Sequence, residues 1–534
     1  MAFDLIIENG MVVDGTGTPG RRADVGVVGK EITNVGDLTA VHAARRLDAS
    51  GCVVAPGFID IHNHSDLALL ADGRAESMIR QGVTTQVTGN CGLTAAPVTN
   101  AIRADLMRTM SGLEYGRRFT WDTFGQFLDA LRAAPKATHV APLVGHGAIR
   151  ASAMGFADRP PSAEELEAMK RLTADAMEAG AFGMSTGLVY PPGFYCATEE
   201  LIELSRVVAR FRGLYASHMR GEANPVVESV KEALRIGREA RIPVEISHHK
   251  AAGRENWGKV RTTYALIDEA SRGLDVTYDI YPYTAGSANL SQLVPPWAHV
   301  GGPEAMLNRL RDPGVRPKVH HDVIHGTPDW PNFFRIDWQD IKLAYIHSER
   351  NRWMQGLSVE EAARRTGRDP VDLALGLILK DGNRTTMVNF VMAEADVDFL
   401  LPKPQSMIGS DGWSISPDGP TGAGHPHPRS YGAFPRVLAR YVREKGLLRL
   451  EEAIHKMTGK PAQKLRLDRR GEVRPGYFAD LVVFDPVTVR DRATFEEPHQ
   501  FAEGIVSVIV DGHLTLDRGS LSRTLVGQVL APAA

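Results

Sequence analysis

The sequence predicts an α/β protein built around a (β/α)₈ barrel. Short apolar segments alternate with helical segments through the middle of the 534-residue chain, and eight apolar segments end in polar side chains. Repeated strand–helix units are typical of a parallel sheet, and eight of them are the number that closes a TIM-like barrel. The eight predicted strands are 57–64, 84–92, 137–147, 181–188, 213–221, 242–250, 275–283 and 405–412.

Helical segments lie between most of these strands, for example over residues 162–180 and 224–240. The spacing between the seventh and eighth strands is far longer than one strand–helix unit requires. We therefore expect an insertion at about residues 290–400, which could cover the mouth of the barrel. The barrel itself is expected to occupy residues 58–469.

Both ends of the chain have a different pattern, in which short apolar strands are separated by Gly, Asn and Asp. The segment FDLIIENGMVVDG (residues 3–15) reads as a hairpin around Asn9-Gly10, and a second hairpin is expected around Gly29-Lys30. Similar strands recur near the C-terminus. Residues 1–57 and 470–534 therefore predict one small β-sandwich domain formed by both termini.

Composition excludes several classes of function. The formal net charge of −3 argues against non-specific nucleic-acid binding, which needs a basic surface. No apolar run is long enough for a membrane helix, and the first ten residues lack the basic region of a signal peptide. Three cysteines are too few for a disulfide framework. We therefore expect a cytoplasmic globular protein without a nucleic-acid or membrane partner.

The most informative motif is the pair of histidines that follows the first barrel strand. His62 and His64 are separated by one residue, so both imidazoles point the same way and can reach one metal ion. Imidazole is a common ligand of zinc and similar metals. Such a pair alone is a weak signal, because most histidines at this spacing are surface or core residues. The ends of the other strands have to supply the missing ligands.

Those strand ends do carry chemically capable side chains. Active sites of (β/α)₈ barrels lie at the C-terminal ends of the strands, which makes this edge the place to look. Chance would scatter the 18 histidines over helices and loops instead. After strand 1, the residues at successive strand ends are Cys91, His146, Ser185 with Tyr190, His218, His248 to Lys250, Tyr281 with Tyr283, and Asp411.

This constellation resembles the amidohydrolase superfamily, whose pattern is an HxH on strand 1, histidines on strands 5 and 6, and an aspartate on strand 8. Within it, the chain is most similar to the N-acyl-D-amino-acid deacylases (D-aminoacylases). The resemblance extends over nearly the whole chain. It rests on VTGNCG at strand 2, GLVYPPG after strand 4, SHHK on strand 6, YPYTAGS after strand 7, and GSDG followed by HPRSYGAFPRVL.

Strand 4 departs from the wider superfamily, because it offers Ser185 and not a bridging lysine or glutamate. Cys91 on strand 2 resembles the replacement used by the D-aminoacylase branch, and a thiolate is a good zinc ligand. The resemblance implies two metal sites, one tight and one weaker. The tight Zn²⁺ site would be Cys91, His218 and His248, with water as the fourth ligand, and the second site would be His62, His64 and Asp411.

The choice of His248 over His249 depends on strand alternation. Lys250 is expected to face the substrate, and residues i and i+2 share a face. Asp411 is expected to take a proton from water and hand it to the leaving amine. The resemblance implies a substrate with a free α-carboxylate, an N-acyl-D-amino acid. Its expected contacts are Lys250, Tyr190, Tyr283, Ser287 and Arg429.

The stretch ANLSQLVPPWAH after Ser287 (residues 288–299) contains no Arg or Lys, which weakly favours neutral or apolar side chains on the substrate. Other readings remain open: a cyclic-amide hydrolase of the hydantoinase type, a dipeptidase acting on a C-terminal D-residue, or a catalytically inert scaffold. His146 is either a structural histidine or part of the pocket. A homo-oligomer is also open, because no residue indicates how the chain would associate.

Overall fold

The barrel is a ring of eight parallel strands. The computed structural model describes residues 3–110, 120–335 and 337–533. Consecutive strands pair in parallel around the ring, and strand 3 continues from one half of the ring into the other. The strands are Phe58–Asp60, Val83–Thr88, His139–Pro142 continued by Val144–Gly145, Gly183–Gly187, Leu214–His218, Val244–Ile246, Val276–Ile280 and Ser406–Ile408.

Backbone hydrogen bonds join the last strand to the first. The N–H of Asp411 donates to the carbonyl of His62 over 2.8 Å, and the N–H of His64 donates to Gly412 over 2.9 Å. These bonds lie just beyond the strands, among the residues predicted to carry the chemistry. The predicted strands were too long at their C-terminal ends, because the ligand-bearing residues leave the strand and turn over the rim.

Helices surround the ring. The two helices predicted over 162–180 and 224–240 are confirmed as Ala163–Ala179 and Val226–Ala240, the first begun by a capping box of Ser162 and Glu165. Apart from short 3₁₀ turns, the other helices on the described residues are Ala68–Ala71, Glu76–Ile79, Arg103–Thr109, Phe124–Ala133, His146–Met154, Thr198–Arg210, Val260–Ala270, Pro303–Arg311, Arg316–His325, Val359–Thr366, Pro370–Lys380, Glu394–Leu400, Arg429–Arg436, the π-helix Val437–Glu444, Leu450–Met457 and Gly459–Leu465.

Strands from both ends of the chain form a β-sandwich. One sheet has the order Glu31–Gly36, Asp24–Val28, Phe3–Glu8 and Ala43–Asp48; the other has the order Ser520–Leu521, His513–Asp517, Ile505–Val510, Leu481–Phe484, Val53–Pro56, Met11–Val12 and Arg21–Arg22. Apolar side chains of both sheets, such as Ile7 and Val483, share one core. The boundaries 1–57 with 470–534 and 58–469 stay predictions.

Of the two hairpins predicted near the N-terminus, the one around Gly29-Lys30 is confirmed, since Asp24–Val28 pairs antiparallel with Glu31–Gly36. The one around Asn9-Gly10 is wrong. Asn9 has a left-handed backbone (φ 66°), and the strands on its two sides enter different sheets. Its N–H donates to the Asp24 carboxylate over 3.0 Å and not to a hairpin partner.

A separate substructure lies between barrel strands 7 and 8, and we call residues 286–335 and 337–389 the cap. Its antiparallel sheet consists of Gly286–Asn289, Thr386–Asn389 and Ile341–Tyr345. Leu307, Leu343 and Leu377 belong to a core of its own, distinct from that of the barrel. Cap residues line the main cavity above the barrel. None of the described helices is long and apolar enough to cross a membrane.

Candidate metal centre

The rim of the barrel brings together all six side chains predicted as metal ligands. His218 is the last residue of strand 5, and the others follow their strands by two to four residues. Their ligand atoms form overlapping groups, each within 4.8 Å, which are Cys91 with His218 and His248, His62 with His64 and Cys91, and His62 with His248 and Asp411. The sequence prediction therefore assembled side chains that are in contact.

The ligand atoms of the group expected to hold the tighter metal lie close together. His248 Nε2 lies 3.4 Å from Cys91 Sγ and 3.1 Å from His218 Nδ1. Zinc–nitrogen bonds of about 2.0–2.1 Å and zinc–sulfur bonds of about 2.3 Å in a tetrahedron separate the ligand atoms by about 3.3–3.6 Å. The donor atoms and their separations therefore fit a zinc ion.

The second group lies beside the first, and Cys91 is near the imidazoles of both. His62 Nε2 is 3.4 Å from Cys91 Sγ and 3.5 Å from Asp411 Oδ1. His64 Nε2 is 3.0 Å from the same carboxylate oxygen. Cys91 therefore faces both groups of imidazoles, and a second ion could bind beside the first.

Three of these residues hold an unfavourable backbone conformation. Cys91, His248 and Asp411 have positive φ angles of 55°, 36° and 52°. Side chains other than glycine rarely adopt this region, and such strain is concentrated at functional sites. The neighbouring Gly92 leaves no room for a side chain, since a Cβ there would lie 2.7 Å from the backbone nitrogen of Gly187. The turn that carries Cys91 is therefore tightly constrained.

His249 points away from the cluster, as expected from strand alternation. Its Nε2 lies 2.9 Å from Thr263 Oγ1, and its ring packs against Tyr278. Burial lowers the pKa of His249 to about 3, so it stays neutral in the wall of the barrel. Of the two adjacent histidines, only His248 reaches the other ligands.

Two carboxylates contact the imidazoles of the cluster, the buried Asp279 and the partly buried Glu222, and sequence reasoning missed both. Asp279 Oδ2 lies 3.1 Å from His62 Nδ1, while its other oxygen accepts the backbone N–H of His248 over 2.9 Å. Glu222 Oε1 lies 2.9 Å from His248 Nδ1. Carboxylates in such contact fix the ring orientation of metal-binding histidines. The available signals were the alternation of Asp279 with Tyr281, and the position of Glu222 four residues after His218.

Comparison with known proteins agrees with this geometry. A model of the amidohydrolase family matches residues 45–515. The chain belongs to the amidohydrolase family. It is 40% identical to the D-aminoacylase of Alcaligenes xylosoxydans xylosoxydans over 532 residues, covering 100% of this chain and 98% of the relative. It is also 40% identical to the N-acyl-D-glutamate deacylase of the same organism, over 96% of this chain and 93% of that one.

A solved structure of this kind has a closely similar fold. The N-acyl-D-glutamate deacylase of Bordetella bronchiseptica, complexed with zinc and a phosphonate that mimics the tetrahedral intermediate, superposes with a TM-score of 0.82 at 36% identity. The match covers 99% of this chain and 100% of the other. The (β/α)₈ fold and the amidohydrolase resemblance predicted from sequence are therefore confirmed.

In this amidohydrolase, the two carboxylate oxygens of the predicted ligand Asp411 have different partners. Oδ1 faces the imidazoles of the second group, and Oδ2 forms an ion pair with Arg429 Nη1 at 2.7 Å. Burial would raise the pKa of Asp411, but Arg429 and the neighbouring imidazoles hold it well below its usual range. The carboxylate is therefore ionised at neutral pH and able to accept a proton.

The surroundings of Cys91 disfavour its ionised form, whereas those of Asp411 favour it. Burial raises the pKa of the Cys91 thiol well above its ordinary value, and the carboxylates of Asp411 and Glu222 raise it further. A thiolate at this position therefore needs a cation beside it, and a coordinated metal ion deprotonates a thiol. This donor set is thus better explained by a metal ion than by a buried thiol among acids.

A cavity of about 610 Å³ lies between the cluster and the cap. Four of the five residues predicted to bind substrate line it: Lys250, Tyr190, Ser287 and Arg429. Arg429 is only 1% exposed and already paired with Asp411, so it faces the ligand group as well as the cavity. Tyr190 packs its ring edge-on against His218 at 5.0 Å between centroids.

The fifth residue, Tyr283, does not line this cavity, and the prediction needs correction. Its ring packs against His427, Phe495 and the guanidinium of Arg436. Tyr281 lies on the cavity instead, with its ring near both Lys250 and Arg429. The two tyrosines are two residues apart and alternation gives them the same face, but the chain leaves the strand at Ile280, so alternation no longer holds.

His146, for which both a structural and a pocket role were open, is structural. Its Nε2 lies 2.8 Å from Glu200 Oε1, and the same carboxylate pairs with Arg150. All three side chains are buried, and none of them lines the cavity. This buried network begins the helix His146–Met154 at the end of strand 3.

Proposed function

We propose that this protein hydrolyses the amide bond of N-acyl-D-amino acids with Zn²⁺, releasing a carboxylate and a free D-amino acid. The observation that carries the proposal is a Cys–His–His group of zinc-ligand spacing on the cavity wall, with the ligand atoms of His248 and an ionised Asp411 within 4.8 Å of each other. The 40% identity to a D-aminoacylase over the whole chain supports the substrate class.

Cys91, His218 and His248 are the residues that would hold the tight zinc ion, and His62, His64 and Asp411 would hold a second, weaker one. When bound, zinc would supply Lewis-acid activation of a water molecule and of the amide carbonyl. Asp411 would accept the proton of the attacking water and deliver it to the leaving amine. Its lowered pKa favours the ionised form that this role requires.

Substrate orientation would depend on the cations of the cavity wall. Lys250 lines the cavity, and its ammonium would pair with the α-carboxylate of the substrate. We assign the substrate contact predicted for Tyr283 to Tyr281, because Tyr281 lines the cavity and Tyr283 does not. Ser287 and Tyr190 complete the polar lining near the reacting amide. Arg429 acts mainly on Asp411 in this account.

A preference for neutral or apolar side chains on the substrate stays part of the proposal. Leu293, Val294 and Val323 line the cavity from the cap, and the basic side chain of Arg335 lines it from the same side. The relatives include an N-acyl-D-glutamate deacylase at equal identity, so an acidic side chain is the specific alternative within the same mechanism. We further propose that the protein acts in the cytoplasm on small molecules, without nucleic-acid or membrane partners. Association into a homo-oligomer stays a prediction.

Two rival activities are less well supported. A cyclic-amide hydrolase of the hydantoinase type usually carries a lysine on strand 4, where this chain has Ser185. A dipeptidase acting on D-residues would use the same metal chemistry. It would differ only in the part of the cavity that binds the acyl group of the substrate. An inert scaffold would have lost ligands, whereas all six predicted ligands are present and in contact.

The test is release of free amine from paired N-acetyl-D- and N-acetyl-L-amino acids by zinc-loaded enzyme, with hydantoins and dipeptides as comparison substrates. We expect release from D-Met, D-Leu and D-Phe derivatives and none from the L forms. Release only from D-Glu or D-Asp derivatives would keep the mechanism and overturn the side-chain preference. Release from none of them by a zinc-containing protein would overturn the proposed function.

A further inference from the structure

The cap makes a polar contact with the loop that follows barrel strand 5. Asn332 Oδ1 accepts two backbone hydrogen bonds from this loop, from Glu222 N–H over 2.9 Å and from Ala223 N–H over 3.0 Å. Asn224 Nδ2 donates in return to the carbonyl of Phe333 over 3.0 Å. A Cβ at Gly221 would lie 3.1 Å from Asn332 Oδ1, so the loop backbone fits closely around this side chain.

The same loop carries a charged group into the cavity. Glu222 Oε1 accepts from Lys250 Nζ over 2.5 Å and lies 2.9 Å from His248 Nδ1. Its backbone carbonyl accepts from Ala252 N–H over 2.7 Å, which ties the loop after strand 5 to the loop after strand 6. Glu222 is therefore a branch point between the ammonium expected to bind substrate and a proposed metal ligand.

These hydrogen bonds link the cap to the loop after strand 5, and that loop to the loop after strand 6. Glu222 is part of a loop, and its other backbone partner, Ala252, belongs to a second loop. Fixing the loop after strand 5 therefore requires an anchor outside these two loops, and Asn332 supplies an acceptor that satisfies two adjacent N–H groups at once. A side chain of the same size without an acceptor would leave both N–H groups without this partner.

We propose that Asn332 is a positioning residue of the enzyme: by anchoring the backbone of Glu222 it sets the place of the Lys250 ammonium for the substrate carboxylate. This inference rests on the proposed function. The cap thus contributes to catalysis through one hydrogen-bonded side chain and is more than a cover for the cavity. Removing the anchor should weaken substrate binding more than it slows the chemical step.

The experiment compares Asn332→Leu with the control Asn308→Leu in zinc-loaded, full-length protein. Asn308 is an exposed cap residue that contacts Arg311 on its own helix. We expect Asn332→Leu to raise KM for an N-acetyl-D-amino acid about tenfold or more, with kcat changed less than about threefold. Asn308→Leu should match the wild type, and both variants should retain its zinc content and thermal midpoint.

A double-mutant cycle shows whether the effect passes through Glu222. Glu222→Gln alone should raise KM, and Asn332→Leu should then add little in the Glu222→Gln background. Hydrogen exchange should be faster at residues 219–225 in Asn332→Leu and unchanged in Asn308→Leu. Additive effects on KM, or unchanged exchange at this loop, would overturn the inference and leave the proposed function intact. A wild type inactive on every N-acyl-D-amino acid would overturn both.

Discussion

Arg429 Nη1 and Asp411 Oδ2 form a buried ion pair at 2.7 Å, directly beside the cluster of predicted metal ligands. The guanidinium also stacks over the ring of Tyr281 at 4.7 Å. Because the other oxygen of Asp411 faces His64, the ion pair fixes which oxygen is available at the cluster. Arg429 thereby controls both the orientation and the protonation state of the proposed base.

This pair predicts a pH effect. Arg429 contributes to holding the pKa of Asp411 well below its usual range, so replacing it in Arg429→Met should raise that pKa. Since the ionised carboxylate is the active form, the acid limb of the kcat/KM profile should move to higher pH. Arg436→Met is the control, because Arg436 pairs with Asp491 and stacks on Tyr283, outside the cavity. An acid limb that stays in place in Arg429→Met would contradict the assignment.

Replacing Asp411 itself should affect catalysis far more than zinc binding. In Asp411→Asn the proton acceptor is lost while Cys91, His218 and His248 remain, so kcat should fall by about 10²–10⁴-fold with about one zinc ion retained per chain. Steady-state kinetics and metal analysis on the same preparation measure both. A variant that retains more than a tenth of wild-type kcat would show that another group transfers the proton.

The correction between the two tyrosines can be tested with a matched pair of variants. Tyr281→Phe removes a hydroxyl from the cavity wall and should raise KM severalfold, because a donor to the substrate is lost. Tyr283→Phe removes a hydroxyl outside that wall and should leave KM unchanged. The reverse pattern would restore the prediction made from the sequence.

A second buried cluster joins the β-sandwich to the barrel and predicts a stability effect. Arg470 pairs with Asp480 and, at 2.9 Å, with Asp511, and His139 lies 3.2 Å from Asp480. Burial would raise the pKa of both carboxyls, but His139 and Arg470 lower it below the usual value. The stability they contribute is therefore present above about pH 4 and is lost as the pH falls through the lowered values.

Arg470→Leu should leave two buried carboxylates undercompensated and lower the free energy of unfolding by about 3–5 kcal/mol at neutral pH. The deficit should shrink toward pH 5, because carboxyls without this partner have higher pKa values and are neutralised by protonation. Unfolding midpoints across pH measure this. The neighbouring Arg469, which pairs with Glu31 at the surface, is the control, and Arg469→Leu should change little. A pH-independent deficit would refute the electrostatic explanation.

The candidate ligands could be brought together from the sequence because each follows a recognisable strand at the same edge of one sheet. His62, Cys91 and Asp411 could thus be grouped before their distances were known. Residues that act through other residues gave no such signal. Asp279 points into the ring from inside a strand, and Glu222 and Asn332 meet only because the cap folds over the barrel.

The errors in the prediction have two physical origins, of which one is that alternation was extended past the ends of strands. Tyr283 follows strand 7 by three residues, where the backbone no longer alternates. Asn9-Gly10 has the composition of a hairpin turn, yet a long-range bond to Asp24 and pairing with other strands override that local preference. Tertiary contacts of this kind cannot be predicted from a single amino-acid sequence.

Reconstitution of the metal-free enzyme with zinc tests the central claim most directly. N-acetyl-D-methionine hydrolysis is followed while zinc is added from zero to two equivalents, in the wild type and in Cys91→Ala and His64→Ala. We expect wild-type activity to rise to one equivalent, His64→Ala to retain that first ion, and Cys91→Ala neither to retain zinc nor to be activated. Full activity without metal, or a Cys91→Ala enzyme that binds zinc and works like the wild type, would contradict the account.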